Sequence, residues 1–166
     1  MDVLAFQRKW IDASRQKERS AYVTHFNDLC DLLGVEKPLD QDPSGETYAF
    51  ERGSKIAGGG DGWADVWYLG HVAWEYKGIG KDLDAAYVQL LRYKDDLGNP
   101  PLLVVSDLNI IRIHTNFTNT VKQVIEVNLA SLAEEGNLAM LRRLWTDPGS
   151  FRPKDTPDSV NIAAAA

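Results

Sequence analysis

Three charged residues, Asp65, Glu75 and Lys77, interrupt an apolar stretch: Ala64-Asp65-Val66-Trp67-Tyr68-Leu69-Gly70-His71-Val72-Ala73-Trp74-Glu75-Tyr76-Lys77. Side chains alternate across a strand, so Glu75 and Lys77, two apart, share a face. A three-residue loop of Leu69, Gly70 and His71 pairs residue 68 with 72 and sets Asp65 opposite Glu75 on that same face. The other face then carries Val66, Tyr68, Val72, Trp74 and Tyr76, almost wholly apolar. A two-residue loop at Gly70-His71 would pair Asp65 with Tyr76 and split the site, so the pattern favours the three-residue register. Two carboxylates and a lysine converging on a buried sheet suit phosphodiester hydrolysis. Carboxylates are hard oxygen ligands for Mg²⁺, which stabilises charge on a phosphate and acidifies water. An ammonium beside them orients the water or offsets charge growing on the phosphate oxygens.

The bare pattern is unspecific, since a Glu-x-Lys triplet arises by chance about once in 300 residues. The alternative is a solvated Asp/Glu/Lys face with a weak cross-strand ion pair. Context favours chemistry: Glu75-Tyr76-Lys77 is the sole Glu-x-Lys in the chain, its strand has an apolar far face, and the glycine run Gly58-Gly59-Gly60-Asp61-Gly62 leads into it. No Gly-Lys-Ser or Gly-x-Gly-x-x-Gly arrangement comes after those glycines, which read as a connection and not as a phosphate cradle. Asp61 competes with Asp65 for the metal role, but a glycine loop would hold it poorly.

The elements that must position these residues can be read from periodicity. Asp2 to Arg19 and about Ser20 to Leu33 read as helices, the second stopped by Gly34. Pro38 to Gly45 reads as a polar loop and Thr47 to Gly53 as a first strand. Ala64 to Leu69 and Val72 to Gly78 form a hairpin around Gly70. Lys81 to Leu97 is the clearest helix, with Leu83, Ala86, Tyr87, Leu90, Leu91 and Leu97 on one side and Gly98-Asn99-Pro100 at its end. Pro101 to Ser106, Asn109 to Thr115 and Val121 to Leu129 read as strands, and Leu138 to Trp145 as a last helix. This order predicts an α/β sandwich, a mixed sheet with helices on both faces. The Lys81 to Leu97 helix would be the crossover that brings Leu102 to Ser106 parallel to Val72 to Gly78.

At 166 residues the chain suits one domain. Hydrophobic residues make up 44% and charged residues 25%, as in soluble globular proteins. No apolar run is long enough to span a bilayer, so no membrane partner is expected, and a cytoplasmic location is the default. Cys30, the single cysteine, sits in an apolar helical pattern and reads as core. His71 lies at a turn, and His25 and His114 lack ligand-like partners, so no His or Cys metal site is assigned. With 18 basic and 24 acidic residues the net charge is −6, which disfavours tight, independent DNA binding.

These residues resemble the PD-(D/E)XK nuclease superfamily, in which an Asp precedes a Glu-x-Lys on adjoining strands. Gly62-Trp63-Ala64-Asp65, Trp74-Glu75-Tyr76-Lys77 and Lys81-Asp82-Leu83-Asp84-Ala85-Ala86-Tyr87-Val88-Gln89 are similar to the amino-terminal nuclease region of single-chain restriction–modification enzymes, Type IIG and especially the MmeI-like (Type IIL) group. So are Val104 to Ile113 and Trp145 to Pro153. Ala64 stands where the superfamily name has a proline, which carries no chemistry.

The resemblance implies a restriction-endonuclease-like three-layer sandwich and a Mg²⁺-dependent endodeoxyribonuclease acting on double-stranded DNA. Asp65, Glu75 and the backbone carbonyl of Tyr76 would hold the metal and Lys77 would assist the water. Gln89 and Tyr93 match a Gln-x-x-x-Tyr arrangement near the site of RecB-like relatives; the other reading makes Tyr93 core and Gln89 a strand-to-helix hydrogen bond. Glu18 matches a further acidic ligand on an early helix in some relatives, against a solvated Glu in Lys17-Glu18-Arg19. The resemblance further implies a nuclease domain at 1–155 and the start of a connector at 156–166. Beyond it would lie an absent S-adenosylmethionine-dependent adenine methyltransferase and a target-recognition domain, which would hold the DNA. Double-strand cleavage would call for dimerisation. A stand-alone RecB-like repair nuclease and a catalytically inactive docking module are the alternatives.

Overall fold

The computed structural model describes residues 1–13, 18–53 and 63–154. The first helix, α1 (Val3–Asp12), is capped by Asp2, whose carboxylate accepts from the Ala5 N–H at 2.8 Å. It buries Phe6 and Trp10. The expected single helix from Asp2 to Arg19 is corrected: α1 ends at Asp12 and α2 (Glu18–Leu33) begins six residues later. Between Ala13 and Ala21 the sequence has no apolar residue to hold a helical face against the core. α2 buries Tyr22, Phe26, Leu29, Cys30 and Leu33. Gly34 stops it at a left-handed φ of 69°, with the Val35 N–H returning to the Cys30 carbonyl at 3.0 Å.

The expected loop from Pro38 to Gly45 contains a one-turn helix, α3 (Pro38–Gln41), because proline is preset for a first helical turn. After it, the Asp42 carboxylate accepts from the backbone N–H groups of Thr47 (2.7 Å) and Tyr48 (3.1 Å), aiming the chain into the sheet.

The sheet has six strands: β1 (Tyr48–Arg52), β2 (Ala64–Tyr68), β3 (Val72–Tyr76), β4 (Leu102–Ser106), β5 (Ile110–Thr115) and β6 (Val124–Asn128), in spatial order 1 to 6. Only β3 and β4 run parallel, joined by the crossover helix α4 (Leu83–Tyr93). The Asp82 carboxylate caps α4, accepting from the N–H groups of Asp84 and Ala85. A last helix, α5 (Asn137–Thr146), completes the element order.

The strands bury residues from both faces, as a three-layer sandwich requires. Val66, Trp74, Tyr76, Val104 and Ile113 join a large core with residues of α1, α2 and α5. Trp67, Ala73, Leu103 and Val105 join a smaller one with Leu83, Ala86 and Leu90 of α4. Trp74 is fully buried, with the Phe26 ring edge-on at 5.3 Å, and its Nε1–H donates to the Ser106 hydroxyl at 2.8 Å. Such aromatic burial is worth roughly 1.5–3 kcal/mol per side chain. It pins the register of the middle strands and therefore of whatever lies on their other face.

Candidate active site

The hairpin register is Tyr68↔Val72, Trp67↔Ala73 and Val66↔Trp74, the three-residue-loop arrangement. Gly70 turns it at a φ of 74°. Continued by one residue, the register sets Asp65 opposite Glu75. At that row the ladder is interrupted on both sides. The β1–β2 pairs pass from Phe50↔Val66 to Arg52↔Ala64, and the β2–β3 pairs end at Val66↔Trp74. The Asp65 carboxylate takes a place in the ladder itself, accepting from the Tyr76 backbone N–H at 2.8 Å. That bond fixes the carboxylate beside the strand carrying Glu75.

Glu75 lies in a strand whose five residues are all buried, and is itself 5% exposed. Burial pushes its carboxyl well above the usual carboxylate range. The Asp65 carboxyl, in hydrogen-bond contact with it, raises it further, and the positive charge of Lys77 draws it back down. The structure brings the two carboxyls together, with Lys77 exerting its charge on Glu75. Lys77 sits one residue past β3, its backbone N–H donating to the Ser106 carbonyl at 2.8 Å. Among the described residues its ammonium forms no ion pair within 4 Å.

Gln89, on α4, donates through Nε2 to the Glu75 carboxylate. α4 can deliver it because Ala86 and Leu90 on the adjoining face are buried against the sheet. Tyr93 goes elsewhere. Its ring stacks on Trp63 at 6.2 Å, beside the smaller core. The Gln-x-x-x-Tyr pair thus divides into one residue that touches the carboxylates and one that packs. Glu18 begins α2, but its side chain lies outside the described residues, as do Asp61, the Gly58 to Gly62 run and the 156–166 segment. Cys30 is buried and His25 is buried against Tyr76, its Nδ1 2.8 Å from the phenol oxygen. The latter bond buttresses β3 from behind the site.

Two residues near the site were not singled out by the sequence. Tyr22, on α2, donates its hydroxyl to Glu51 at 2.8 Å, and the charges of Asp65 and Glu75 reach it, helping burial to push its phenol upward. Glu51 occupies β1 at the row of Asp65 with a left-handed φ of 55°, a conformation no one-dimensional pattern reveals for a non-glycine residue.

Chemically, two carboxyls in contact inside a low-dielectric layer have Lys77 acting on Glu75 but no ion pair of their own among the described residues. Among the described residues no third His, Cys, Asp or Glu joins them as a metal-binding group. Mg²⁺ keeps several waters and is commonly held by one or two carboxylates, so this donor set fits it and does not fit a transition metal that wants imidazole or thiolate.

The sheet is mixed, with one parallel step, and helices clad both of its faces. The family model for "MmeI, N-terminal domain" matches residues 1–166. The chain belongs to that family and is a restriction-enzyme domain. A solved structure described as a cryoEM structure of a DrdV–DNA complex is similar to it, at 20% identity and a TM-score of 0.48. The match covers 91% of this chain and 97% of that one. No curated protein matches the sequence.

Proposed function

We propose that this domain is a Mg²⁺-dependent endodeoxyribonuclease in which Asp65, Glu75 and Lys77 hydrolyse a DNA phosphodiester. The observation that carries the reading is the contact between the buried Glu75 carboxyl and Asp65. Two buried carboxyls repel when both are ionised, and a bound cation relieves that repulsion while leaving both as ligands, where a shared proton would neutralise one. Asp65, Glu75 and the Tyr76 backbone carbonyl would hold the ion. When bound it supplies charge stabilisation to a phosphate oxygen and acidity to water.

The protein's own groups set the geometry. The Tyr76 N–H fixes one oxygen of Asp65, and Gln89 fixes Glu75. Lys77 carries an ammonium that no described carboxylate neutralises, free to orient the attacking water or to face charge on the phosphate oxygens. With a net charge of −6 the domain has little to offer DNA by itself. Other domains of a longer restriction–modification protein would therefore hold the duplex.

Cleavage by the full-length protein tests the reading. Lys77→Ala keeps both carboxylates and is expected to preserve Mg²⁺ binding while removing most cutting. Asp65→Ala and Glu75→Ala are expected to weaken Mg²⁺ binding as well. A structural ion pair would cost ~0–1 kcal/mol and leave cutting intact. Normal cleavage by folded Asp65→Ala and Lys77→Ala variants would remove the assignment.

A further inference from the structure

The distortion of β1 at Glu51 has a second consequence. Tyr48 and Phe50 join the core on the α2 side of the sheet, so plain alternation would send Arg52 there too. It does not go there. With Glu51 at a φ of 55°, the Glu51 side chain turns to Tyr22 and the Arg52 guanidinium lies over the Trp67 ring, 4.4 Å from its centroid. Trp67 belongs to the opposite, α4-side core, the side from which Gln89 reaches Glu75. It is two residues from Asp65 on β2, and its Nε1–H is tied to the Leu97 carbonyl at 2.8 Å. A strained backbone thus delivers an arginine, already stacked on a fixed ring, to the neighbourhood of the carboxylate pair.

Among the described residues Arg52 has no other partner: no carboxylate lies within 4 Å of it, and its guanidinium makes no hydrogen bond. Three other arginines are occupied, whereas the exposed Arg8, Arg92 and Arg152 also lack a polar partner among the described residues. Arg112 pairs with Asp84 and Glu126, Arg142 donates to the Leu33 carbonyl, and Arg143 donates to Ser150. Arg52 differs from those exposed arginines in being half-buried and held over a fixed ring. It borders an open groove of about 490 Å³, with Phe50, Gly53 and Trp63 along its wall. Glu51, which also lines the groove and would repel an anion, has its carboxylate engaged by Tyr22.

We propose that Arg52 grips a DNA backbone phosphate adjoining the one that is cut, and so sets the strand in register with Asp65 and Glu75. A guanidinium stacked on an indole keeps its planar fork of donors pointed outward. It matches two phosphate oxygens at once and loses little freedom on doing so. The contact is a positioning one, and it rests on the phosphodiesterase reading above.

The test is binding of a fluorescently labelled DNA duplex to the full-length protein by anisotropy, in EDTA so that nothing is cut, from 20 to 150 mM NaCl. Wild type, Arg52→Gln, Arg52→Lys and Arg8→Gln are compared, each checked by circular dichroism for an unchanged fold. Arg8 is exposed on α1, so its loss removes the same charge elsewhere. Arg52→Gln is expected to weaken binding about ten-fold and to shrink the log–log salt slope by about 0.9, one phosphate's worth. Arg52→Lys should restore the slope and part of the affinity, and Arg8→Gln should change neither. In Mg²⁺ the cleavage defect of Arg52→Gln should fall on KM more than on kcat. An unchanged salt slope in Arg52→Gln, or an equal change in Arg8→Gln, overturns the inference. Failure of the nuclease reading would show separately, as equal cleavage by wild type and Asp65→Ala.

Discussion

Glu75→Gln should stabilise the metal-free protein while destroying its site. The folded Glu75 carboxyl ionises later than in the unfolded chain, because burial first and Asp65 second both oppose its charge. The proton therefore favours the fold, and this stability is full below the ordinary carboxylate range. It is lost as pH rises from there through the raised folded value. Each pH unit in that window costs the wild type about 1.4 kcal/mol, and local relaxation around a strand-end carboxyl reduces the sum. A glutamine never ionises, still accepts from Gln89, and can donate to Asp65. The expected gain at pH 7.5 is about 1–3 kcal/mol, which for this chain length raises Tm by roughly 2–10 °C. At pH 4.5 the gain should nearly vanish. Urea and thermal unfolding in EDTA at both pH values measure it. Repeating the melts with 10 mM Mg²⁺ adds a second readout, since the ion should stabilise wild type and leave the glutamine variant unmoved. A variant less stable than wild type by the same amount at both pH values would refute the electrostatic argument. Glu75 would then ionise alike in the folded and unfolded chain, and its loss would be felt only through its hydrogen bonds.

Gln89→Ala removes the group that holds Glu75 and should lower cleavage about 10- to 100-fold, as loss of an outer partner of a metal ligand does. Gln89→Glu, adding a third carboxylate, should be worse; equal activity in both variants would make Gln89 a packing residue. His25 is fully buried and its imidazole is pushed down to about 3, so it stays neutral in the fold while the unfolded chain protonates below its ordinary 6.5. Stability is therefore full above pH 6.5 and falls by about 1.4 kcal/mol per unit as pH drops toward the folded value. His25→Phe should flatten that acid limb in urea titrations between pH 6.5 and 4.5, and a slope identical to wild type would contradict the burial argument.

The sequence alone determined most of the elements and the register of the hairpin. Period-2 alternation in Val66 to Tyr76 is a strong signal because a one-residue slip would bury Asp65 and Glu75 in the aromatic core and expose Trp74. Gly34, Gly70 and Gly98 marked real chain reversals, each at positive φ. The crossover helix was legible because a parallel pair needs one. The break after Asp12 was missed because its cause is an absence: Ser14 to Ser20 offer no apolar residue, so periodicity has nothing to mark where the helix stops. Only the tertiary structure decided that Gln89 meets Glu75 while Tyr93 stacks on Trp63. Helical spacing puts both on neighbouring positions, and the rotation of α4 on the sheet chooses between them. Likewise only the fold turned Glu51 to one face and Arg52 to the other. A left-handed φ at a glutamate is imposed by its neighbours in space and leaves no trace in local sequence, so a cation placed by that twist cannot be read from one dimension.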